Sequence, residues 1–171
     1  MVENQMTEKS KAIYPGSFDP VTRGHLDVIE RARGLFGTLH IAVLSNPEKK
    51  ALFTPEERIE LLRSETAGLT GAGGLEFSSF EGLTARLAVE VEAGWIVRGL
   101  RSAADAAYEL PMAHSNRRCG ETEIETVFLP AGAETSFISS SLVREIAAGG
   151  GRLEAFVTPG VEAALRGKFS S

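Results

Sequence analysis

Short apolar runs alternate along this chain with stretches in which apolar positions recur every three or four residues. Residues 11–14 (KAIY) read as a strand. From Gly24 the spacing changes. Leu26, Ile29 and Leu35, with Val28 and Ala32 beside them, predict a helix capped by Thr22 and ended by Gly37. Residues 39–44 (LHIAVL) predict a buried strand. Thr54-Pro55-Glu56-Glu57 then reads as a capping box with proline at the first helical position, and Ile59, Leu62 and Leu69 supply the inner face of its helix. Residues 75–80 are a third strand. Leu83, Leu87 and Val91 repeat every four residues in a helix stopped by Gly94. Trp95-Ile96-Val97 predicts a fourth strand with Trp95 in the core. Ser102 and Asp105 resemble a second capping box, opening a helix toward Arg118 that Pro111 should kink or divide. Residues 124–129 (IETVFL) are a fifth strand, and two last helices start near Ser140 and Pro159, with Phe156, Leu165 and Phe169 expected to pack.

Strands alternating with helices throughout are the pattern of an α/β fold, a parallel sheet covered on both faces. The 171 residues suit one core, so residues 11–171 are expected to form one domain behind a polar tail, 1–10. Gly149-Gly150-Gly151 reads as a hinge between helices. Hydrophobic residues at 43% and charged residues at 24% are ordinary for a soluble globular protein. No apolar run is long enough to span a bilayer, and the first ten residues lack an apolar signal stretch. The sole cysteine, Cys119, has no intrachain partner, which suits a reducing compartment; the expectation is a cytoplasmic protein without a membrane partner. Net charge is −5, so the surface should repel nucleic acid, and any polyanion bound should be small and held in a local pocket. The pair Arg117-Arg118 reads as a solvated helix end.

In open parallel sheets, ligands bind beyond the carboxyl ends of the strands. Strand one is followed by Gly16-Ser17-Phe18 and Thr22-Arg23-Gly24-His25, strand two by Asn46 to Lys50, strand four by Arg98-Gly99-Leu100-Arg101, and strand five by Ser136-Phe137-Ile138-Ser139-Ser140-Ser141. Cations, glycines and hydroxyls thus gather at one sheet edge of an acidic protein, which points to phosphate. Gly24 lets a phosphate approach a helix N-terminus, where backbone N–H groups are free, and His25 in the first turn can donate to it. The plain alternative is that His25 only caps its helix. Likewise the serine run is either a cap or a triphosphate cradle, Arg98 and Arg101 either grip phosphate or pair with Asp105 and Glu109, and Lys49 and Lys50 are either ligands or solvated. Neither a Walker loop nor a G-x-G-x-x-G fingerprint follows strand one. His40 and His114 lack partners at metal-ligand spacing, so no protein-built metal site is expected, and Cys119 belongs to no recognisable triad or redox motif.

The segment from Ala12 to His25, AIYPGSFDPVTRGH, resembles the opening of bacterial phosphopantetheine adenylyltransferases. The T-x-G-H element marks the wider nucleotidyltransferase superfamily. Lys49-Lys50 before Phe53-Thr54-Pro55-Glu56-Glu57-Arg58, the segment Arg98 to Arg101, and Ser136 to Val143 narrow the resemblance, in matching order from about residue 11 to the C-terminus. It implies a Rossmann-like five-stranded sheet and a reaction in which ATP and 4′-phosphopantetheine give dephospho-coenzyme A and pyrophosphate. It implies Mg²⁺, a homohexamer, and coenzyme A as a feedback ligand. By resemblance, His25 stabilises the transition state and Ser17 contacts both substrates. Lys49, Leu83, Thr84 and Arg98 would contact the pantetheine substrate. Phe18, Gly99, Leu100, Arg101, Glu109, Thr135, Ser136, Phe137, Ile138, Ser139, Ser140 and Ser141 would bind ATP. The chain departs from the family pattern at Ser17 (often threonine), Arg23 (often asparagine), Ala106-Ala107 (often phenylalanine and glutamate), Pro111, and Thr135 (often aromatic). Two other classes compete with this reading. One is a nucleotidyltransferase for nicotinate mononucleotide or an alcohol phosphate; the other is a non-catalytic nucleotide sensor on the same fold.

Overall fold

A computed structural model describes residues 10–46, 50–119 and 124–170. Lys49, expected at the substrate, and most of the expected tail lie outside them. Strands β1 (Lys11–Gly16), β2 (Thr38–Leu44), β3 (Gly74–Phe80), β4 (Trp95–Leu100) and β5 (Glu125–Pro130) form one sheet in the order β3-β2-β1-β4-β5. Every pairing is parallel. The connecting helices are α1 (Arg23–Arg33), α2 (Pro55–Thr66), α3 (Thr84–Glu90) and α4 (Ala103–Cys119), and α5 (Ser140–Ala148) and α6 (Pro159–Phe169) close the chain. Alternate strand residues face opposite ways, which sorts the core. Tyr14, Leu39, Ile41 and Val97 pack with α1, α2, α5 and α6. Ile13 and Ile96 pack with Ala85 and Ala88 of α3 on the other face, where α4 also lies. No helix among the described residues is long and apolar enough to cross a membrane.

Strand order reverses between β1 and β4, the point at which open α/β sheets form a ligand crevice. The pairing of β1 explains why it opens here. β1 pairs with β2 along its whole length but with β4 only at Ala12 and Ile13. Beyond Ile13 the two strands separate, and Pro15 has no N–H to offer a ladder. The Arg98 guanidinium bridges the gap instead, its Nη1 donating to the Pro15 carbonyl at 2.8 Å.

Several boundaries differ from the expected ones. α1 ends at Gly34, whose N–H bonds back to Arg31 and Ala32, so Leu35 falls beyond the helix and is exposed while Phe36 turns inward. Leu83 caps α3 from outside it and is 64% exposed, because the inward face is carried by Ala85, Leu87 and Ala88. On α2 the buried face runs Arg58, Leu62 and Thr66, and Leu69 lies past the helix end. Trp95 is 38% exposed rather than core; it begins β4, an inner strand, at the amino-terminal end of the sheet beside Phe36, ring centres 6.2 Å apart. Phe169, in the last turn of α6, is likewise exposed.

Pro111 does not divide α4, which runs unbroken from Ala103 to Cys119. Its pyrrolidine removes one backbone donor, and the Ser115 hydroxyl donates to the Pro111 carbonyl at 3.0 Å on the exposed side. The second capping box is only half formed. The Asp105 N–H bonds the Ser102 hydroxyl at 3.2 Å, but the Asp105 carboxylate is drawn away to the backbone and guanidinium of Arg101.

Candidate active site

A cavity of about 520 Å³ sits over the β1/β4 crevice. Its walls come from the loop after β1, the start of α1, the loop after β2, the end of β4, α4 and the start of α5. Ser17, His25, Arg98, Gly99, Arg101, Glu109, Thr135, Ile138, Ser139, Ser140 and Ser141 all line it, so most of the residues singled out from sequence converge on one space. The other described ones do not line it. Phe18 is fully buried beneath it, and Leu83 and Thr84 stand at the start of α3. Leu100 and Ser136 are outside the lining, and Phe137 is exposed against Phe156.

His25 occupies the third position of α1 and shares a reciprocal cap with Thr22. The Thr22 N–H donates to His25 Nδ1 at 3.1 Å, and the His25 N–H reaches the Thr22 hydroxyl at 3.4 Å. Capping is therefore a real role of this histidine, and it has a chemical consequence. With Nδ1 used as acceptor, the neutral ring carries its proton on Nε2. Burial first, then the charges of Arg101 and Arg98, push its pKa down to about 4. The ring is thus a neutral donor near pH 7. It rests edge-on against Phe18, centres 4.9 Å apart, and Phe18 rests on Tyr14 at 5.3 Å. Phe18 holds φ at +47°, which folds its ring back under Gly16; a Cβ at Gly16 would lie 2.9 Å from that ring.

Arg98 lies at the open edge of β4. Its Nε donates to Glu109 Oε2 at 2.8 Å and its Nη2 to Glu109 Oε1, a two-pronged pair across to α4. Burial disfavours its charge, but the bonds to Glu109 outweigh that and raise its pKa. Arg101 is held by Asp105, Nε to Oδ2 at 2.9 Å; these bonds raise the arginine and lower the carboxyl. Tyr14 is pushed up to about 12, chiefly by burial, with the two arginines pulling the other way. The ion-pair reading of both arginines is thus correct, and the pairs fix the guanidinium planes at the cavity wall.

The serines of α5 are also engaged. Ser139 caps the helix by accepting from the Leu142 N–H at 3.2 Å, Ser140 donates to the Pro20 carbonyl at 2.8 Å, and Ser141 lies 3.5 Å from Arg144 Nη2. What remains at this end of the cavity is a helix N-terminus with its positive dipole end.

Sequence reasoning passed over Asp19, Arg58 and Arg144, which line the same cavity. Arg58 is 4% exposed and donates to the carbonyls of Phe53, Ser17 and Leu44. Its signal was available: it stands four residues before Leu62, on the inward face of α2. Asp19 carried no periodic signal, because it lies in a loop and its own side-chain bonds are all to distant segments.

An open parallel sheet with its switch-point cavity walled by arginines and two helix N-termini defines a nucleotide-handling α/β protein. The cytidylyltransferase-like family model matches residues 13–146. The chain belongs to the phosphopantetheine adenylyltransferase family: it is 49% identical over 161 residues to the phosphopantetheine adenylyltransferase of Synechococcus sp. (strain CC9902), covering 94% of this chain and 96% of that one. It is 47% identical to the enzyme of that name from Deinococcus radiodurans, covering 93% of each. Solved structures share the fold at lower identity. A putative nicotinate-nucleotide adenylyltransferase from Vibrio parahaemolyticus superposes with a TM-score of 0.67 at 20% identity, covering 92% of this chain and 91% of that one. A bifunctional NMN adenylyltransferase/ADP ribose pyrophosphatase from Francisella tularensis gives 0.69 at 15%, covering 95% of this chain and 50% of that one.

Proposed function

We propose that this chain transfers the adenylyl group of ATP to 4′-phosphopantetheine, releasing pyrophosphate and forming dephospho-coenzyme A, a step of coenzyme A synthesis. The observation that carries this reading is the identity of nearly half, over almost the full chain, to relatives named for that reaction. The reaction is an in-line displacement: a phosphate oxygen of phosphopantetheine attacks the α-phosphorus, and the bond to the pyrophosphate oxygen breaks. A phosphate dianion is already nucleophilic near neutral pH, so no general base is needed. Catalysis rests on alignment and on stabilising charge. His25 Nε2–H is the donor to the α-phosphate oxygen. Arg98, with Lys49, holds the acceptor phosphate against its repulsion by ATP, and Leu83 and Thr84 meet the pantetheine arm. The start of α5, Arg101 and the loop at Ser17 and Phe18 hold the nucleotide.

Mg²⁺ is proposed to enter with ATP. The lining carboxylates Asp19, Asp105 and Glu109 are each bonded to an arginine, which suits a metal carried by the triphosphate. The ion would offset charge on the phosphates. A homohexamer in the cytoplasm, with coenzyme A as a feedback ligand of the same cavity, completes the proposal; Tyr108, Leu110 and Met112 of α4 leave apolar surface for a subunit contact. Light scattering should give the mass of six chains, and a single-chain mass would exclude the hexamer. The acceptor is tested with labelled ATP offered phosphopantetheine, nicotinate mononucleotide and glycerol 3-phosphate in parallel. Label should pass to phosphopantetheine alone; transfer to either other acceptor at equal rate would reject the assignment.

A further inference from the structure

Asp19 lines the cavity, yet the residue is only 5% exposed and its carboxylate is turned toward the protein. Oδ2 accepts from the Leu52 N–H at 3.0 Å and Oδ1 from the Phe53 N–H at 2.9 Å. Arg144 Nη1, from α5, stands 3.3 Å from Oδ2 and also donates to the Asp19 carbonyl. Arg58 Nε lies 3.9 Å from Oδ1. The next residue is tied to α5 as well, through Ser140 and the Pro20 carbonyl at 2.8 Å. One carboxylate therefore joins three segments distant in sequence: the loop after β1, the end of the loop after β2, and the start of α5. An ionised carboxylate only accepts hydrogen bonds, and backbone N–H groups and arginines already occupy this one, which suits a tie better than a ligand or a base.

We propose that Asp19 is a positioning residue that couples the two substrate subsites. The inference rests on the function proposed above, in which α5 faces the nucleotide and the loop after β2, which carries Lys49, faces the acceptor. Lys50 and Ala51 line the cavity immediately before the two N–H groups that Asp19 holds. Nucleotide bound at α5 fixes Arg144 and Ser140. Through Asp19 those contacts fix Leu52 and Phe53, and with them the end of the loop after β2 that borders the acceptor side of the cavity at Lys50 and Ala51. Binding of either substrate then favours the other by the same factor.

The test uses α,β-methylene-ATP, which cannot lose pyrophosphate. Calorimetry on the unaltered chain should show phosphopantetheine binding at least about fivefold more tightly with the analogue than without it. In Asp19→Asn, which keeps the shape but loses the charge and presents an N–H pair to one backbone donor, that ratio should fall to about one, even with the analogue saturating. A merely structural role would weaken both affinities and leave the ratio standing, and a retained ratio overturns the proposal. Hydrogen exchange on the unaltered protein decides the matter if the variant does not fold. The analogue alone should slow exchange at the Leu52 and Phe53 amides, and unchanged rates overturn the coupling. If the chain binds the analogue but no phosphopantetheine, it is the acceptor assignment that fails, while exchange at those amides still judges the tie.

Discussion

At the scale of single residues, His25, third in α1, shows how a capping bond sets the tautomer of a ring. Nδ1 is spent on the Thr22 N–H, which directs the remaining proton to Nε2. His25→Ala should lower kcat by about 10²–10³-fold, the loss expected for one preorganised donor, and near-normal turnover would rule the role out. Because the alanine also removes half of a cap, the variant should lose about 1 kcal/mol of stability by denaturant unfolding. The ionisation is separately checkable. The His25 pKa lies near 4 against an ordinary value of 6.5, so a nitrogen-detected NMR titration should find its midpoint near 4; a midpoint near 6.5 would contradict its burial. Between those values the unfolded chain binds more protons than the folded one. The stability gained from a neutral His25 is therefore complete above pH 6.5 and lost as pH falls toward 4. Arg98 makes a second case. Arg98→Ala should raise KM for phosphopantetheine about tenfold or more while altering ATP binding less, the loss expected for a charge-assisted bond. Equal effects on both substrates would reject its placement. Adding Glu109→Gln to that variant should restore stability without restoring acceptor affinity, since the mostly buried carboxylate is otherwise left unpaired.

At the scale of elements, local chemistry was readable wherever a signal and its partner lie within one turn. The Thr54-to-Glu57 box forms as its sequence indicates, Glu57 N–H to the Thr54 hydroxyl at 3.2 Å and Thr54 N–H to Glu57 Oε2 at 2.8 Å. Thr54→Ala should accordingly lower unfolding free energy by about 1 kcal/mol, and no loss in denaturant unfolding would show the cap idle. The second box, at Ser102, misled because Asp105 had a stronger partner in Arg101. A cap and a guanidinium compete for one carboxylate, and spacing cannot show which wins. Pro111 misled differently. A proline costs a helix a hydrogen bond, yet on an exposed turn the freed carbonyl meets water, so α4 continues. Pro111→Ala should therefore stabilise the chain by about 1–3 kcal/mol, and destabilisation would mean that the proline shapes α4 for some contact.

At the scale of the whole molecule, the alternation of strands and helices was enough to predict a parallel sheet, and strand ends were enough to predict which loops would meet. Most of the candidate site residues do meet, at the one crevice where β1 and β4 part. What stayed hidden depends on contacts between distant segments. Asp19 bonds to residues more than thirty positions away and Arg144 to one 125 away, and no period in the sequence encodes such pairs. Spacing places Arg58 on the inward face of α2, but the carbonyls of Phe53, Ser17 and Leu44 that receive its charge there are set by tertiary neighbours. The arrangement that results is a small cavity in an acidic chain, with arginines and helix N-termini gathered around it. The most direct test is pyrophosphate release from ATP and Mg²⁺, followed with and without 4′-phosphopantetheine. Release should depend on the acceptor and match dephospho-coenzyme A mole for mole. Release that ignores the acceptor, or none when both substrates are present, would contradict it.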